Sequence, residues 1–259
     1  MSQQYSSLEM MVVSASRELK DGEVVFVGTG LPMLAAQLAL YTHTPNLVIM
    51  YESGYIGCKN IHLPRLVGDI RLMYNLAMVG SMIDVLGLLQ TGKVDVGFLG
   101  GAQVDMYGNI NATVIGDYRN PKTRLPGSGG ANDIASSANR VLIIMNHEKR
   151  RFPSKVDYIT SPGYLDGSED ARKKKGLLGR GPAKVITDLA VLTFDEITHR
   201  MKIESIHPGF TLKDVEAQTD FELIYDKVSE TQAPTEEELK ILRDRVDPLG
   251  FYLVRRERK

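Results

Sequence analysis

The sequence lacks the features that mark secreted and membrane-spanning proteins. Among 259 residues there is one cysteine, Cys58, and there is no tryptophan. A single cysteine excludes an intrachain disulfide framework, so we expect a reducing, cytoplasmic location. No apolar run approaches the roughly 20 residues that a membrane helix needs. The first ten residues also lack the basic start and apolar stretch of a signal peptide.

Neither sign of charge is in excess. The 31 Lys and Arg residues are balanced by 32 Asp and Glu residues. Such a chain builds no strong positive field, so we expect it to bind neither nucleic acid nor an anionic membrane. Basic residues cluster at 173–175 and 255–259, which we interpret as solvated surface and a chain terminus.

The potential metal ligands are not spaced as a metal site requires. None of the five histidines forms an H-x-x-x-H pair, and there is no cysteine cluster. We therefore expect no zinc site. Cys58 has no activating neighbour in the sequence, which predicts a small packing residue.

Predicted strands alternate with predicted helices along most of the chain. Apolar residues at helical spacing predict helices at 8–19, 33–41, 82–89, 131–137, 211–217 and 235–246. Short apolar or β-branched runs predict strands at 24–27, 47–51, 94–99, 109–115, 141–145, 156–160, 184–194 and 201–206. This order favours an α/β fold with a mostly parallel open sheet flanked by helices.

The length and the 43% hydrophobic content suit one large α/β domain or two packed lobes. We predict a single domain over residues 1–259. Residues 167–182 are rich in Gly, Lys and Arg, and we expect them to form a mobile surface excursion.

Glycine turns and a glutamate follow three of the predicted strands. They are the turn Gly28-Thr29-Gly30, Glu52, and the pair Gly100-Gly101. In parallel sheets, ligands bind outside the carboxyl ends of the strands. The glycine-rich loop at 127–130 precedes a predicted helix, where backbone amides can face an anion. We expect these four segments to converge on one cleft.

Each of these features also has a structural explanation. Met33 occupies the place of the third glycine in a dinucleotide fingerprint, so the turn at Gly28 is either a close approach for a ligand or a plain turn. A glutamate at a strand end is usually solvated. As a functional group, Glu52 could be a base or a covalent nucleophile. The loop at 127–130 could be a flexible linker or an oxyanion hole.

Two further polar segments leave alternatives open. Asp105 and Asn109 are typical of a turn held by side-chain hydrogen bonds, while Gln103 could equally touch a ligand. The segment H-E-K-R-R at 147–151 could hold a phosphate group, form a charged strand exit, or contact another subunit.

Taken together, these fragments resemble the B (β) subunit of the glutaconate CoA-transferases, which are family I CoA-transferases. The matching fragments are V-G-T-G-L-P (27–32), E-S-G (52–54), G-G-A-Q-V-D (100–105), Y-G-N (107–109), I-G-D-Y (115–118), P-K-T-R (121–124), G-S-G-G-A-N (127–132), H-E-K-R-R-F (147–152) and T-S-P-G (160–163). Their number and their order along most of the chain carry the resemblance.

The resemblance implies the family I CoA-transferase fold and an enzyme that works with an A subunit in a higher-order A/B oligomer, with the active site at the subunit interface. It makes Glu52 the covalent nucleophile of a ping-pong reaction, which passes through an acyl-glutamyl anhydride and a glutamyl-CoA thioester. It also implies that CoA thioesters are substrates and that no cofactor is permanently bound. Glutaconate or a similar small dicarboxylate is the expected substrate.

The resemblance also assigns roles around Glu52. Gly129 and Gly130 are the expected amide donors of the oxyanion loop. The residues expected to bind substrate are Gly28, Gly30, Ser53, Gly54, Gly101 and Gln103.

Two other functions compete with CoA transfer. Relatives on this fold include a CoA-thioester hydrolase that opens a steroid-derived ring and a decarboxylase. They lack the glutamate of the E-S-G motif, so its presence here favours a transferase over an acyl-CoA hydrolase or lyase. A non-catalytic ligand-sensing domain is the third hypothesis, and it gives no reason for Glu52. The residues after Gly54 and the segment 167–182 depart from the glutaconate pattern, which leaves the acyl substrate open.

Overall fold

The computed structural model describes residues 5–59 and 62–253, so the basic cluster predicted at 255–259 lies outside the described residues. The chain divides into two compact units. The first unit comprises Met1–Gly87 and Ala233–Lys259, and the second comprises Leu88–Gln232. A single domain over residues 1–259 stays a prediction.

The helices and strands follow one another in the alternating order that the sequence predicts. The helices are α1 (Ser7–Arg17), α2 (Leu31–Tyr41), α3 (Met82–Gln90), α4 (Ala131–Ser137), α5 (Ala171–Lys174), α6 (Leu212–Ala217) and α7 (Glu236–Ile241). The strands are β1 (Val24–Phe26), β2 (Val48–Met50), β3 (Tyr55–Ile56), β4 (Met78–Val79), β5 (Val96–Leu99), β6 (Gln103–Val104), β7 (Ile110–Asn111), β8 (Val114–Gly116), β9 (Pro121–Arg124), β10 (Arg140–Ile144), β11 (Pro182–Ile186), β12 (Ala190–Phe194), β13 (Met201–Ile206) and β14 (Ser229–Glu230). Short 3₁₀ helices lie at Ile70–Met73 and Lys149–Arg151, and a π-helical turn at Leu242–Val246 continues α7.

The first unit is built on the strands β1, β2, β3 and β4, in that order. β1 and β2 run parallel, and β3 and β4 add antiparallel pairs. Ser6 and Glu9 form a capping box that starts α1. α2 packs against α1 and α7, and it is apolar on nearly all sides because it is buried.

The second unit is built on six strands in the order β14-β13-β12-β11-β10-β5. β5, β10 and β11 run parallel, whereas β12 pairs antiparallel with both β11 and β13. α4 packs on β5, where an added Cβ at Gly97 would lie 2.2 Å from the side chain of Ile134. The predicted α/β fold with a mostly parallel open sheet and flanking helices is confirmed.

Three predicted strands are wrong. Residues 109–115 form two strands, because the Asn111 side-chain oxygen accepts the N–H groups of Thr113 and Val114 and breaks the run. Residues 184–194 form a hairpin, because the Thr187 hydroxyl accepts the N–H groups of the two turn residues 189 and 190.

Residues 156–160 form no strand, and the segment contributes a single bridge between Ser161 and Ile110. Side-chain hydrogen bonds replace a ladder there. The Asp157 carboxylate accepts the Gly116 N–H at 2.9 Å, and the Thr160 hydroxyl accepts the Ala112 N–H at 2.8 Å.

The basic segment at 167–182 is anchored at one buried residue, and its predicted mobility stays a prediction. Arg172 is only 9% exposed, although the three lysines that follow it are exposed. Its guanidinium donates to the carbonyl oxygens of Gly179 (3.0 Å), Pro162 (3.1 Å), Gly163 (2.7 Å) and Ala135 (2.9 Å). One inward-facing arginine therefore ties the segment to the body of the second unit.

Among the described residues, no helix combines the length and the apolar character that crossing a membrane requires.

Candidate functional site

Glu52 lies in the tight turn that joins β2 to β3. The Tyr51 N–H donates to the Tyr55 carbonyl at 2.9 Å, and the Gly54 N–H donates to the Tyr51 carbonyl at 3.0 Å. Tyr51 is fully buried, while Glu52 is partly exposed. The buried ring therefore anchors the residue before the glutamate, and the glutamate itself stays accessible.

The two residues after Glu52 are fastened to a single segment of the first unit. The Ser53 hydroxyl donates to the Val67 carbonyl, and the Gly80 N–H donates to the Gly54 carbonyl at 2.8 Å. Gly54 has φ of +101°, and an added Cβ would lie 2.2 Å from the Gly80 oxygen. Only glycine fits this position. The predicted contact of Ser53 and Gly54 with substrate stays a prediction.

The Glu52 carboxylate has no partner within its own unit: no described residue there donates a hydrogen bond to it or forms an ion pair with it. Two other glutamates of this unit are engaged. Glu9 pairs with Arg243 at 2.6 Å, and Glu238 pairs with Arg17 at 2.7 Å. A carboxylate with free lone pairs can act as a nucleophile, whereas an ion-paired one is deactivated.

The glycine turn after β1 lies beside the Glu52 turn. β1 and β2 are parallel neighbours, and the Val27 N–H donates to the Met50 carbonyl at 3.0 Å. The carboxyl ends of both strands therefore meet at one edge of the first unit. Gly30 caps α2 with φ of +90°, and an added Cβ at Gly28 or Gly30 would meet nothing within 4 Å. The backbone is thus open to a ligand at Gly28 and Gly30, whose predicted role in substrate binding stays a prediction.

The glycine-rich loop at 127–130 belongs to the second unit and has a fixed conformation. The Gly127 N–H donates to the Ala112 carbonyl at 2.8 Å, and the Ser128 hydroxyl accepts the Asn132 N–H at 3.1 Å. These bonds argue against a flexible linker. Gly129 has φ of +49°, and Gly130 is the residue that caps α4.

The N–H groups of Gly129 and Gly130 donate to no described residue of the second unit. Two free adjacent amides are what an oxyanion hole requires. The start of any helix also leaves its first amides free. The catalytic role of Gly129 and Gly130 therefore stays a prediction.

Gly101 and Gln103 are explained by packing within the second unit. An added Cβ at Gly101 would lie 2.3 Å from the side chain of Ile110. The buried Gln103 amide donates to the Asp157 carboxylate at 3.1 Å and accepts from the Asn111 amide at 2.7 Å. Both residues therefore have a packing role, and their predicted contact with substrate stays a prediction.

The turn at Asp105 is confirmed. The buried Asp105 carboxylate accepts the N–H groups of Tyr107 and Asn109, each at 3.0 Å, and also the Asn109 side-chain amide. Burial raises the pKa of Asp105, and these hydrogen bonds oppose the shift.

The segment at 147–151 is a charged strand exit, and its predicted alternatives, a phosphate site and a subunit contact, stay predictions. His147 is buried between the hydroxyls of Thr187 and Thr219, and its ring stacks on Phe152 at 3.9 Å. Burial lowers the pKa of His147 to about 3, so the ring is neutral. The next residue, Glu148, pairs with both of the nearby arginines at 150 and 151. One carboxylate cannot neutralise two arginines, so the segment keeps a net positive charge on its exposed side chains.

Cys58 is a buried packing residue, as predicted. Burial raises the pKa of its thiol to about 12, which keeps the sulfur protonated and unreactive. No group of three or more His, Cys, Asp and Glu side chains within residues 5–59 and 62–253 could hold a metal ion.

The structure brings the predicted segments together in two places. Gly28 and Glu52 share an edge of the first unit. In the second unit, the Ala102 N–H donates to the Asn111 carbonyl, so the Gly101 segment and the 127–130 loop are both tied to residues 111–112. The convergence of all four segments stays a prediction.

Two residues that support these segments were missed. Gly80 holds the Glu52 turn through a bond that depends on strand pairing between β3 and β4, for which the sequence carries no signal. Arg172 binds the Ala135 carbonyl in α4, the helix that follows the 127–130 loop. The sequence shows only an arginine ahead of three lysines, and a solvated basic patch would have the same pattern.

Comparisons with known proteins agree over most of the chain. It is 48% identical over 241 residues to the B subunit of the 3-oxoadipate CoA-transferase of Pseudomonas knackmussii, covering 92% of each chain. It is 42% identical over 250 residues to the B subunit of the glutaconate CoA-transferase of Acidaminococcus fermentans, covering 94% of this chain and 93% of that one.

The fold is similar as well. The crystal structure of glutaconate coenzyme A-transferase from Acidaminococcus fermentans matches with a TM-score of 0.92 at 41% identity, covering 97% of this chain and 98% of that chain. A sequence model of the family described as Coenzyme A transferase matches residues 8–218. The resemblance and the fold inferred from the sequence fragments are confirmed.

Proposed function

Because the chain belongs to the coenzyme A transferase family, we propose that it is the B subunit of a CoA-transferase and that Glu52 is its covalent nucleophile. One observation carries the assignment of Glu52. Its carboxylate has no partner among the described residues of its unit, in a turn held on both sides by hydrogen bonds. A hydrogen-bonded turn that presents a carboxylate without such a partner suits nucleophilic attack on a thioester.

In the first half-reaction, a Glu52 oxygen attacks the thioester carbonyl of an acyl-CoA. The carbon–sulfur bond breaks, CoA leaves as a thiolate, and an acyl-glutamyl anhydride remains. The thiolate then attacks the glutamyl carbonyl and expels the donor carboxylate, which leaves a glutamyl-CoA thioester on Glu52.

In the second half-reaction, an acceptor carboxylate attacks this thioester and regenerates an anhydride and CoA thiolate. The thiolate attacks the acceptor's carbonyl and releases the new acyl-CoA and the free Glu52 carboxylate. One thioester is exchanged for another, so ATP is not consumed. Each attack places negative charge on a carbonyl oxygen, which the Gly129 and Gly130 amides stabilise in this proposal.

The proposed substrates are CoA thioesters of small dicarboxylic acids. The 3-oxoadipate and glutaconate named for the two relatives are both of this class. The CoA thioester enters as a substrate, and no permanently bound cofactor is needed. The proposed partner is a CoA-transferase A subunit, since the relatives are named as B subunits. We also propose a cytoplasmic location.

The test is a mass spectrum of the A–B complex after incubation with glutaconyl-CoA and no acceptor. We expect a CoA adduct on the peptide that contains Glu52. The isosteric variant Glu52→Gln should carry no adduct, and Glu196→Gln, at an exposed glutamate, should carry the native amount. Free acid accumulating without an adduct would favour a hydrolase or lyase. Binding of acyl-CoA without turnover would favour a sensing domain.

A further inference from the structure

One stretch of the first unit exposes large apolar side chains in close succession. Within residues 66–83, eight such side chains are about half exposed or more: Leu66, Ile70, Met73, Tyr74, Met78, Val79, Met82 and Ile83. Ile70 is 75% exposed and Ile83 is 82% exposed. Single exposed apolar residues are ordinary, but a run of them marks an interaction surface. We call this stretch the 66–83 surface.

The 66–83 surface also lacks charge over its C-terminal two thirds. Residues 72–83 contain no charged side chain, although 24% of the whole chain is charged. Depletion of charge together with exposed apolar side chains is typical of the core of a subunit interface. A surface that contacts only solvent is not expected to have this composition.

β4 lies at the end of the strand order of the first unit, and both of its residues are exposed. It pairs with β3 in the described part of the chain. Natural proteins protect such edges with charges, prolines or bulges. β4 has neither a charged residue nor a proline, so its edge is protected only by its length of two residues or by a partner that covers it.

The 66–83 surface is hydrogen-bonded to the turn that carries Glu52. Val67 accepts the Ser53 hydroxyl, and Gly80 donates to the Gly54 carbonyl. Val79 lies opposite Tyr55 in the β3–β4 pair. Any protein that covers this surface therefore contacts the supports of Glu52.

We propose that the 66–83 surface is the docking surface for the A subunit, and that docking fixes the turn that carries Glu52. The inference rests on the proposed function, which supplies the A subunit as the partner. The apolar and charge-depleted composition of this surface is typical of a permanent subunit interface. Its bonds to Ser53 and Gly54 select a partner that completes the active site, rather than a second copy of this chain.

The first experiment measures hydrogen–deuterium exchange in the tagged chain alone and after it is mixed with its cognate A subunit. We expect peptides within 66–83 to exchange more slowly in the complex. The Gly54 amide should also slow, since the turn it closes becomes fixed. Slowing confined to other parts of the chain would overturn the proposal.

The second experiment tests the surface by substitution. Ile83→Asp lies in the first turn of α3, where an acidic residue is compatible with the helix dipole. Together with Ile70→Asp it should weaken A–B association by about tenfold or more, as expected for residues central to an interface. The matched control is Ile197→Asp in the second unit, where Ile197 is 86% exposed and the native affinity should remain.

Thermal unfolding of each isolated variant separates lost docking from lost folding. A double variant that folds and still associates with native affinity would overturn the proposal. So would a dimer of this chain that Ile83→Asp abolishes while A–B association is unchanged. Association is measured without turnover, so the docking surface can stand even if no CoA adduct forms on Glu52. Conversely, an adduct on Glu52 with native association of the double variant would leave the proposed function intact and remove only the docking surface.

Discussion

The Glu52 turn and the 127–130 loop use glycine for opposite reasons. At the Glu52 turn, Gly54 is required because the Gly80 carbonyl leaves no room for a side chain, and the functional group is the neighbouring carboxylate. In the loop, an added Cβ at Gly129 would meet nothing within 4 Å. There the proposed functional groups are the backbone amides. The first region therefore depends on packing, and the second depends on which N–H groups are left unused.

The substitution expected to have the largest effect on this comparison is Gly54→Ala. The added Cβ meets the Gly80 oxygen and φ is positive, so we expect a loss of about 3 kcal/mol in stability. The turn should shift, and a displacement of about 1 Å should lower kcat by roughly 10²-fold or more. The control is Gly87→Ala in α3, where an added Cβ would meet no heavy atom within 4 Å and φ is not positive. Denaturant unfolding and steady-state transfer rates of the A–B complex measure both effects. Equal rates for Gly54→Ala and the wild type would contradict a packed turn.

In the 127–130 loop the proposed functional groups are backbone N–H groups, so the test is a substitution that removes one of them. Gly130 has φ of −76°, which proline can adopt, so Gly130→Pro deletes one N–H without forcing φ. We expect kcat to fall by about 10²-fold, as for the loss of one oxyanion donor. Gly130→Ala keeps the N–H and is the matched control. If both variants lose the same activity, the loop acts through packing and the contrast with Gly54 fails.

Substitution of Arg172 tests whether this residue, which binds the helix after the 127–130 loop, stabilises the loop from a distance. Arg172→Met keeps much of the side-chain volume but leaves four carbonyl oxygens without their donor. We expect a loss of about 3 kcal/mol in the free energy of unfolding. Lys173→Met, at an exposed neighbour, should change stability by less than about 0.5 kcal/mol. A native unfolding curve for Arg172→Met would show that the four hydrogen bonds contribute nothing net.

The two units should also respond differently to acid. The folded pKa of His147, about 3, lies below its unfolded value. The unfolded state therefore binds a proton first, and stability falls as pH drops below about 6.5. In the first unit, the pKa of Glu9 is lowered because the bonds to Arg243 and Ser6 outweigh its burial. Its contribution is retained until the pH falls below about 4.3. Between these pH values, only the second unit should weaken.

Hydrogen exchange at pH 7 and pH 5 checks this difference. Peptides of the second unit should lose about 2 kcal/mol of protection at the lower pH, one and a half pKa units below the unfolded value of His147. Peptides of the first unit should change less. His147→Gln should reduce the response, and buried His207, whose pKa is also lowered by burial, should supply the remainder. His62→Gln, at an exposed histidine, should leave the response unchanged. A uniform loss across both units would contradict the assignment to His147.

Local signals in the sequence explain most of what was predicted. The helix at 131–137 and the strand at 201–206 match residue for residue, and the helices that begin after Ser6 and Thr235 carry capping boxes. Two of the three wrong strands share one cause. Asn111 and Thr187 close turns with their side chains, and the sequence around them still has the composition of a strand.

The candidate site was only partly predictable. The E-S-G fragment and the glycine loop were recognised through resemblance, because a free carboxylate and two free amides have no signature in composition or periodicity. Gly80 and Val67 support Glu52 through contacts distant in sequence, so no local pattern marks them. Gln103 shows that membership of a family fragment does not by itself identify a ligand-binding residue. Its side-chain amide is used in hydrogen bonds within the chain.

The buried state of Cys58 has a practical consequence for fluorescence and cross-linking studies. The one native thiol of the chain is inaccessible and stays protonated at any pH used for maleimide chemistry. A cysteine introduced at Met73, on the outside of the first unit, would then react with a dye alone, without removal of the native residue. In the folded chain, labelling is therefore confined to the introduced cysteine.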